Sequence, residues 1–142
     1  MPFRFAWGLL PPIYETYVQR TFLPNPFKLT LKITIKNNNP TSKWYKIVFS
    51  NPNLTTNPYV YTFDEVGSGQ SVTKDITLEF VRPNEDSDYS ITIRVEQYSD
   101  SGYTQLEEYD EQTFTLHVYD VIGRKDIVKL YKTYFRGGFD YG

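Results

Sequence analysis

The sequence predicts an all-β fold, a single antiparallel β-sandwich of about seven or eight short strands with a short C-terminal helix. Apolar and polar side chains alternate strictly over the ten positions 27–36, and the alternation returns at 72–80, 89–97 and 112–118. A period of two places the apolar groups of a strand on one face, which indicates half-buried strands. The chain has 142 residues, the length of one ordinary domain.

The first half of the chain predicts four strands that follow an N-terminal arm. The arm covers 1–12, because Pro11 and Pro12 cannot sit in a central strand. The strands are expected at 14–22, 27–36, 43–49 and 59–63. Segments rich in Pro and Asn separate them, and the densest of these is the Asn-Asn-Asn-Pro turn at 37–40.

The second half predicts the remaining strands of a sandwich domain that spans 13–120. They are expected at 72–80, 89–97, 103–109 and 112–118. Turns rich in Gly and Ser lie at 66–71 and 99–102, and an acidic turn lies at 82–88. Short, evenly spaced strands with turn residues between them favour a sandwich over a closed barrel. The acidic run at 107–111 predicts a hairpin or an edge whose charges discourage strand addition.

The last segment, 121–142, has a helical pattern. Apolar side chains recur at helical spacing from 125 to 135, and Gly137 and Gly138 then provide a natural stop. The sequence therefore predicts a short helix and an aromatic tail. The helix either caps one end of the sandwich or docks on a neighbouring subunit.

Composition argues against several classes of protein. A formal net charge of −2 and a pI near 5.4 give no broad attraction to nucleic acid or anionic lipid. Cysteine is absent, which excludes disulfides and thiolate metal sites. No apolar run approaches the roughly 20 residues of a spanning helix, and the N-terminal segment is a poor signal peptide. We expect no nucleic-acid partner, no membrane span and no cofactor.

The order of features at 28–98 resembles the Ig-like adhesion modules of the CARDB type, found on archaeal and bacterial surface proteins. A strand runs into an Asn-rich turn at 33–39, and a Gly-x-Ser turn leads into an alternating strand at 69–78. A strand that begins with Tyr follows at 89–95. The resemblance covers about half of the chain and implies an Ig-like sandwich. It implies nothing about activity, because it contains no catalytic motif.

Few side chains suit catalysis or metal binding. His117 is the only histidine, and it falls on the polar face of its strand, where we expect a solvated ring. Glu85, Asp86 and Asp88 lie in one loop and could share a Ca²⁺ ion, but the loop has fewer ligands than an EF-hand. We therefore expect a solvated acidic turn there, no metal site and no catalytic residue, so an enzyme is the least favoured function.

The leading hypothesis is a non-enzymatic structural or interaction protein, a component of a virion or a cell-surface assembly. Aromatic residues make up 18% of the chain, with 13 Tyr and 10 Phe, and such side chains suit contact surfaces. Association is expected with copies of the chain or with partner proteins, through the sandwich and the aromatic termini. The alternative is that both termini fold back onto their own sandwich. The expected interaction residues are Phe3, Phe5, Trp7, Trp44, Tyr45, Tyr59, Tyr61, Tyr131, Tyr134, Phe135 and Phe139.

A second hypothesis is a carbohydrate-binding module. In it, Trp44, Tyr45, Tyr59 and Tyr61 offer a stacking platform for sugar rings. Loss of glycan binding on Trp44→Ala would favour this reading over self-association.

The polar positions of the strand at 27–36 predict a smooth, basic outer face without reactive groups. Those positions are Lys28, Thr30, Lys32, Thr34 and Lys36. Such a face is typical of a scaffold, so we expect specific contacts in the aromatic ends and the loops.

Overall fold

The computed structural model describes residues 4–7 and 15–120 of the chain. Within these ranges the chain is all-β, which confirms the predicted class. The strands are β1 Arg4–Trp7, β2 Glu15–Gln19, β3 Phe27–Lys36, β4 Lys43–Ser50, β5 Tyr59–Val66, β6 Ser71–Phe80, β7 Ser87–Tyr98 and β8 Leu106–Tyr119. A single 3-10 turn, Arg20–Phe22, follows β2, and no helix of the described ranges has the length and apolarity to cross a membrane. The helix predicted at 125–135 lies outside the described residues.

The strands form two sheets. One has three strands in the order β1-β3-β6, and the other has five in the order β2-β8-β7-β4-β5. All pairings within them are antiparallel except that of β2 with β8, which is parallel. This pair corrects the expectation of a purely antiparallel arrangement. Because β2 and β8 come from opposite ends of the domain, the chain between them is long enough for a parallel pair.

Four residues of the predicted N-terminal arm form a strand. Arg4–Trp7 make up β1, which pairs with the last four residues of β3, from Ile33 to Lys36. The backbone of this part of the arm therefore lies against the strand of its own chain. The division of the chain into arm, sandwich and tail is otherwise still a prediction.

Strand β8 corrects the expectation of two separate strands at 103–109 and 112–118. Residues 106–119 are one continuous strand that pairs with β7 along its length, with one register shift between Gln97 and Tyr98. No Gly or Pro interrupts this stretch, so nothing ends the strand between the two predicted segments. Strand β2 covers only 115–119, which leaves the acidic run at 107–111 on an edge among the described strands.

Apolar side chains of both sheets form one hydrophobic core. Phe27 and Phe80, neighbours in the three-stranded sheet, have ring centroids 5.4 Å apart. Tyr89 of the five-stranded sheet lies 6.3 Å from the ring of Phe27 and 5.7 Å from that of Phe80. The inward positions of β3, β4, β6, β7 and β8 supply most of the cluster, as their alternation predicts.

The turn at 37–40 closes one end of the core with a buried amide. The side chain of Asn37 is fully buried and donates hydrogen bonds to the carbonyls of Val66, at 2.8 Å, and Thr41, at 2.9 Å. Its Oδ1 accepts from the backbone N–H of Asn39 at 2.8 Å. One amide therefore satisfies backbone groups of two different turns, as buried polar groups require.

A second buried amide continues this network. The Oε1 of Gln97 accepts hydrogen bonds from Asn39 Nδ2 at 2.9 Å and from the Tyr45 hydroxyl at 2.8 Å. The Nε2 of Gln97 donates to Glu107 at 3.0 Å, and Glu107 pairs with Lys43. Burial raises the pKa of the Tyr45 hydroxyl, which therefore stays protonated and can donate.

The outer face of the three-stranded sheet is not the basic surface that β3 alone predicts. In the register of β3 with β6, Lys28 stands opposite Glu79 and Lys32 opposite Asp75, so acidic side chains offset the lysines. Thr34 is buried and shares a 2.7 Å hydrogen bond with Thr73. The prediction from β3 alone is wrong because the neighbouring strand β6 also contributes side chains to this face.

Candidate functional site

The outer face of the five-stranded sheet carries a cluster of aromatic and cationic side chains near the start of β8. The register places Trp44 of β4 beside Tyr98 of β7, and Tyr98 beside Leu106 of β8. The next row places Lys46 next to Glu96, and Glu96 next to Tyr109. We call this surface the aromatic patch, and it consists of Trp44, Lys46, Arg94, Tyr98, Tyr103, Leu106 and Tyr109.

Lys46 lies between two tyrosine rings of the patch. Its Nζ is 5.3 Å from the ring centroid of Tyr98 and 5.3 Å from that of Tyr103. The two rings meet edge to face with centroids 5.5 Å apart. Both contacts are within the range of a cation–π interaction, so the ammonium group holds the two rings in place.

Arg94 organises the other side of the patch. Its guanidinium carbon is 3.6 Å from the centroid of the Tyr109 ring, and its Nε donates to Glu96 at 2.8 Å. The Tyr98 hydroxyl donates to the same carboxylate at 2.7 Å. Burial, followed by the hydrogen bond to Glu96, raises the pKa of Tyr98 to about 12, so the hydroxyl remains a donor at neutral pH.

A capped loop between β7 and β8 places Tyr103. The carboxylate of Asp100 accepts hydrogen bonds from the Thr104 hydroxyl at 2.6 Å and from the backbone N–H of Gln105 at 2.8 Å. The bond from Thr104 holds the pKa of Asp100 below its usual value. Tyr103 has a φ of 57°. The loop is thus a closed turn whose conformation directs a ring onto Lys46.

The patch contains two of the five large apolar side chains that are exposed in the described part of the chain. Leu106 is 46% exposed and Tyr109 is 53% exposed. Val60, at 48%, lies on the same face, since it is directly opposite the outward Val48. Exposed apolar groups that cluster on one face, surrounded by charged groups, are typical of a protein contact surface.

His117 lies at the opposite end of the same face. Its ring is stacked on Tyr17 of β2, with centroids 4.2 Å apart, and its Nδ1–H donates to Asp88 at 2.6 Å. The side chain is only 14% exposed, so the expectation of a solvated ring is wrong. The reason is the parallel strand β2, which brings Tyr17 next to His117 and which the local alternation could not indicate.

An ion network beside His117 ties the 3-10 turn to the ends of β7 and β8. Arg20 lies 2.6 Å from a carboxylate oxygen of Asp120 and 3.3 Å from one of Asp86. Asp86 also accepts the backbone N–H of Asp120 at 2.8 Å. The predicted acidic turn therefore holds an arginine, and in the described ranges no three acidic or histidine side chains are grouped to hold a metal ion.

We expect this network to make the stability of the fold depend on pH. The bond from Thr21 and the charge of Arg20 hold the pKa of Asp120 below its usual value. A depressed carboxyl pKa stabilises the fold fully above the unfolded-state value of about 3.9 and loses this effect as the pH falls through the folded-state value. The urea midpoint of the Asp120→Asn variant should therefore lie below that of the wild type near neutral pH and approach it in acid.

The measurement is urea unfolding followed by circular dichroism from about pH 7 to about pH 2.5, which spans the titration of an aspartate. Asp75→Asn, which removes an exposed carboxylate of β6, is the control and should follow the wild type. A constant difference between Asp120→Asn and the wild type at every pH would contradict the assignment.

The structure separates the four residues of the predicted stacking platform. Trp44 lies on the outer face and belongs to the aromatic patch. Tyr45, the next residue, points into the core and is fully buried. Tyr59 and Tyr61 are on the inner side of β5, half-buried against the core. These side chains do not form one platform, because neighbouring residues of a strand face opposite sides.

The other predicted interaction residues belong to the two ends of the chain. Phe5 and Trp7 are in β1, opposite Ile35 and Ile33. The remaining ones lie outside the described residues: Phe3, Tyr131, Tyr134, Phe135 and Phe139.

Sequence reasoning missed most of the patch. Tyr98, Tyr103 and Tyr109 come from one stretch of chain whose pattern indicated only strands and a turn. A usable signal existed in β8, where alternation extended backward from His117 through Glu111 puts Tyr109 on the outer face. The contacts of Lys46 and Arg94 with these rings needed the register of three strands.

No protein-family model and no curated protein matches the chain. Among solved structures, it is similar to the ASH or PapD-like domain of human CEP192, PapD-like domain 7, at 10% sequence identity. The TM-score is 0.41, and the alignment covers 87% of this chain and 87% of that one. The similarity does not identify the CARDB type, so that resemblance stays a prediction.

Proposed function

We propose that this chain is a non-enzymatic interaction module, an Ig-like β-sandwich that associates with copies of itself through the aromatic patch. The aromatic termini would add contacts, and the assembly would belong to a virion or a cell surface. The observation that carries the proposal is the patch itself, in which exposed Leu106 and Tyr109 lie near Trp44 and Tyr98 on one sheet face.

Strand order supports the Ig-like part of the proposal. In immunoglobulin domains one sheet contains strands G, F and C, and the variable type adds C′ beside C. The order β8-β7-β4-β5 follows this sequence, with β3 and β6 in the other sheet. A single core cluster drawn from both sheets is what a sandwich requires.

The residue types of the patch and the fixed positions of its side chains support a role in binding. Trp, Tyr and Arg are the residue types that most often dominate binding energy at interfaces. Lys46 and Arg94 already hold three tyrosine rings by cation–π contacts, so these side chains would lose little further conformational entropy on association. The aromatic surplus of the whole sequence, 13 Tyr and 10 Phe, suits repeated contacts between subunits.

Sedimentation of the full chain over a range of concentrations tests the proposal. We expect the wild type to form oligomers and the double variant Leu106→Ser/Tyr109→Ser to dissociate at least tenfold more readily, because a single interface hot spot contributes about 2 kcal/mol or more. Both residues are half-exposed, so the substitutions should leave the fold intact.

Phe22→Ser is the matched control. Phe22 is 69% exposed but lies on the 3-10 turn away from the patch, and its loss should leave the assembly unchanged. A wild type that stays monomeric, or a double variant that assembles like the wild type, would show that the patch does not mediate self-association.

A further inference from the structure

A cleft of about 300 Å³ lies between the β4–β5 loop and the end of β6. It is on a different part of the molecule from the aromatic patch. The residues that line it and matter for its chemistry are Lys28, Thr55, Thr56, Tyr59, Thr77 and Glu79. This volume is at the small end of the roughly 300–1,000 Å³ of ligand sites, and it suits a single small ring.

The walls of the cleft are held by main-chain hydrogen bonds. The N–H of Thr55 donates to the carbonyl of Glu79 at 3.0 Å, and the N–H of Val81 donates to the carbonyl of Asn53 at 2.8 Å. Leu54 forms a bridge with Phe80 and is buried in the core. The loop thus runs along β6 like a short extra strand, so the cleft exists before any ligand arrives.

Two side chains of opposite charge, Lys28 and Glu79, line the cleft. Lys28 and Glu79 are cross-strand neighbours, but no ion pair links them among the described contacts. The carboxylate of Glu79 instead accepts a 2.9 Å hydrogen bond from the Thr55 hydroxyl, which orients it. An oriented carboxylate and an ammonium group therefore both face a small cleft, in which their charges cancel.

Besides the apolar Leu54, the remaining lining groups are hydroxyls and one aromatic ring. Thr56 and Thr77 line the cleft beside Thr55, and Tyr59 contributes a half-buried ring packed 6.1 Å from that of Phe49. Hydroxyls and charged groups at fixed positions recognise the donors and acceptors of a polyhydroxyl ligand, and an aromatic ring packs against its C–H groups. A zero balance of charge favours a neutral ligand over an ion.

We propose that this cleft binds one neutral sugar ring. Glu79 accepts hydrogen bonds from sugar hydroxyls, Lys28 donates to their oxygens, and Tyr59 packs against the apolar side of the ring. Of the platform that the sequence predicts, only Tyr59 takes part. The site is independent of self-association through the aromatic patch.

The test is a titration of the ¹⁵N-labelled full chain with glucose, galactose, mannose and N-acetylglucosamine, followed by amide chemical shifts. Concentrations up to about 100 mM cover the millimolar Kd expected of a small polar ligand in an open site. We expect at least one of these sugars to give saturable shifts confined to 54–59, 77–79 and the start of β3. Absence of saturable shifts with all four would overturn the proposal, as would tighter binding of glycine at the same amides.

Two variants test the roles in sugar binding that we assign to Glu79 and Lys28. Glu79→Gln should raise the Kd by about tenfold, because hydrogen bonds to a charged group are the stronger kind and the amide oxygen of glutamine accepts only neutral ones. Lys28→Met should have a similar effect, and it leaves every described hydrogen bond of the loop in place. Glu111→Gln, which removes an exposed carboxylate on the other sheet, is the control, and this variant should bind the sugar like the wild type. Unchanged affinity in both cleft variants would be incompatible with the site.

Discussion

Replacing Asn37 by alanine is expected to lower the free energy of unfolding by about 3–5 kcal/mol, since each buried group left without a partner costs about 1–3 kcal/mol. The substitution removes the donors of the Val66 and Thr41 carbonyls and the acceptor of the Asn39 N–H. Asn37 is fully buried, so water cannot easily replace these bonds. Urea unfolding of the purified variant measures the loss.

Asn38→Ala is the matched control, because Asn38 is the next residue of the same turn and is exposed. Its effect should stay within about 0.5 kcal/mol, the usual range for surface substitutions. Equal effects of the two variants would mean that the turn tolerates loss of the buried amide and that the network does not stabilise this end of the core.

Phe80→Ala should destabilise the fold by about 3–5 kcal/mol, the usual cost of deleting a buried phenyl ring. Phe80 is fully buried and packs against Phe27 in its own sheet and Tyr89 in the other, so the change opens a cavity between the sheets. Thermal and urea unfolding of the variant measure the effect.

Phe22→Ala removes the same ring from a position that is 69% exposed, and its effect should be within about 0.5 kcal/mol. The comparison separates loss of packing from loss of hydrophobicity alone. A Phe80→Ala variant as stable as the wild type would show that the two sheets do not depend on this ring for a common core.

Much of the fold could be predicted, because the period of two in a strand is a local property. The bounds of β3 are those expected, and β4 and β6 differ from expectation by one residue at one end. Inward positions of these strands, such as Leu31, Ile47 and Leu78, are buried as the alternation indicates. Turn residues marked most of the boundaries, since Pro, Gly and Asn act on the backbone where they stand.

The candidate site was less accessible to prediction because its members come from several strands. Trp44 was expected to make contacts and does belong to the patch, but Tyr45 was expected beside it and is in the core. Arg94 and Tyr109 are 15 positions apart in the sequence, and they touch because β7 and β8 pair in a particular register. Register depends on all the cross-strand contacts of a pair, which no single strand specifies.

The sequence by itself determined the all-β class, the faces of the main strands and the polar turn that begins at Asn37. Tertiary structure decided which strands are neighbours, and with them the character of each surface. Glu79 and Asp75 offset the lysines of β3, Tyr17 covers His117, and the loop at Leu54 lies along β6 to form the cleft. The physical reason is range: alternation and turn chemistry act over a few residues, whereas sheet faces and clefts are built from residues distant in the chain.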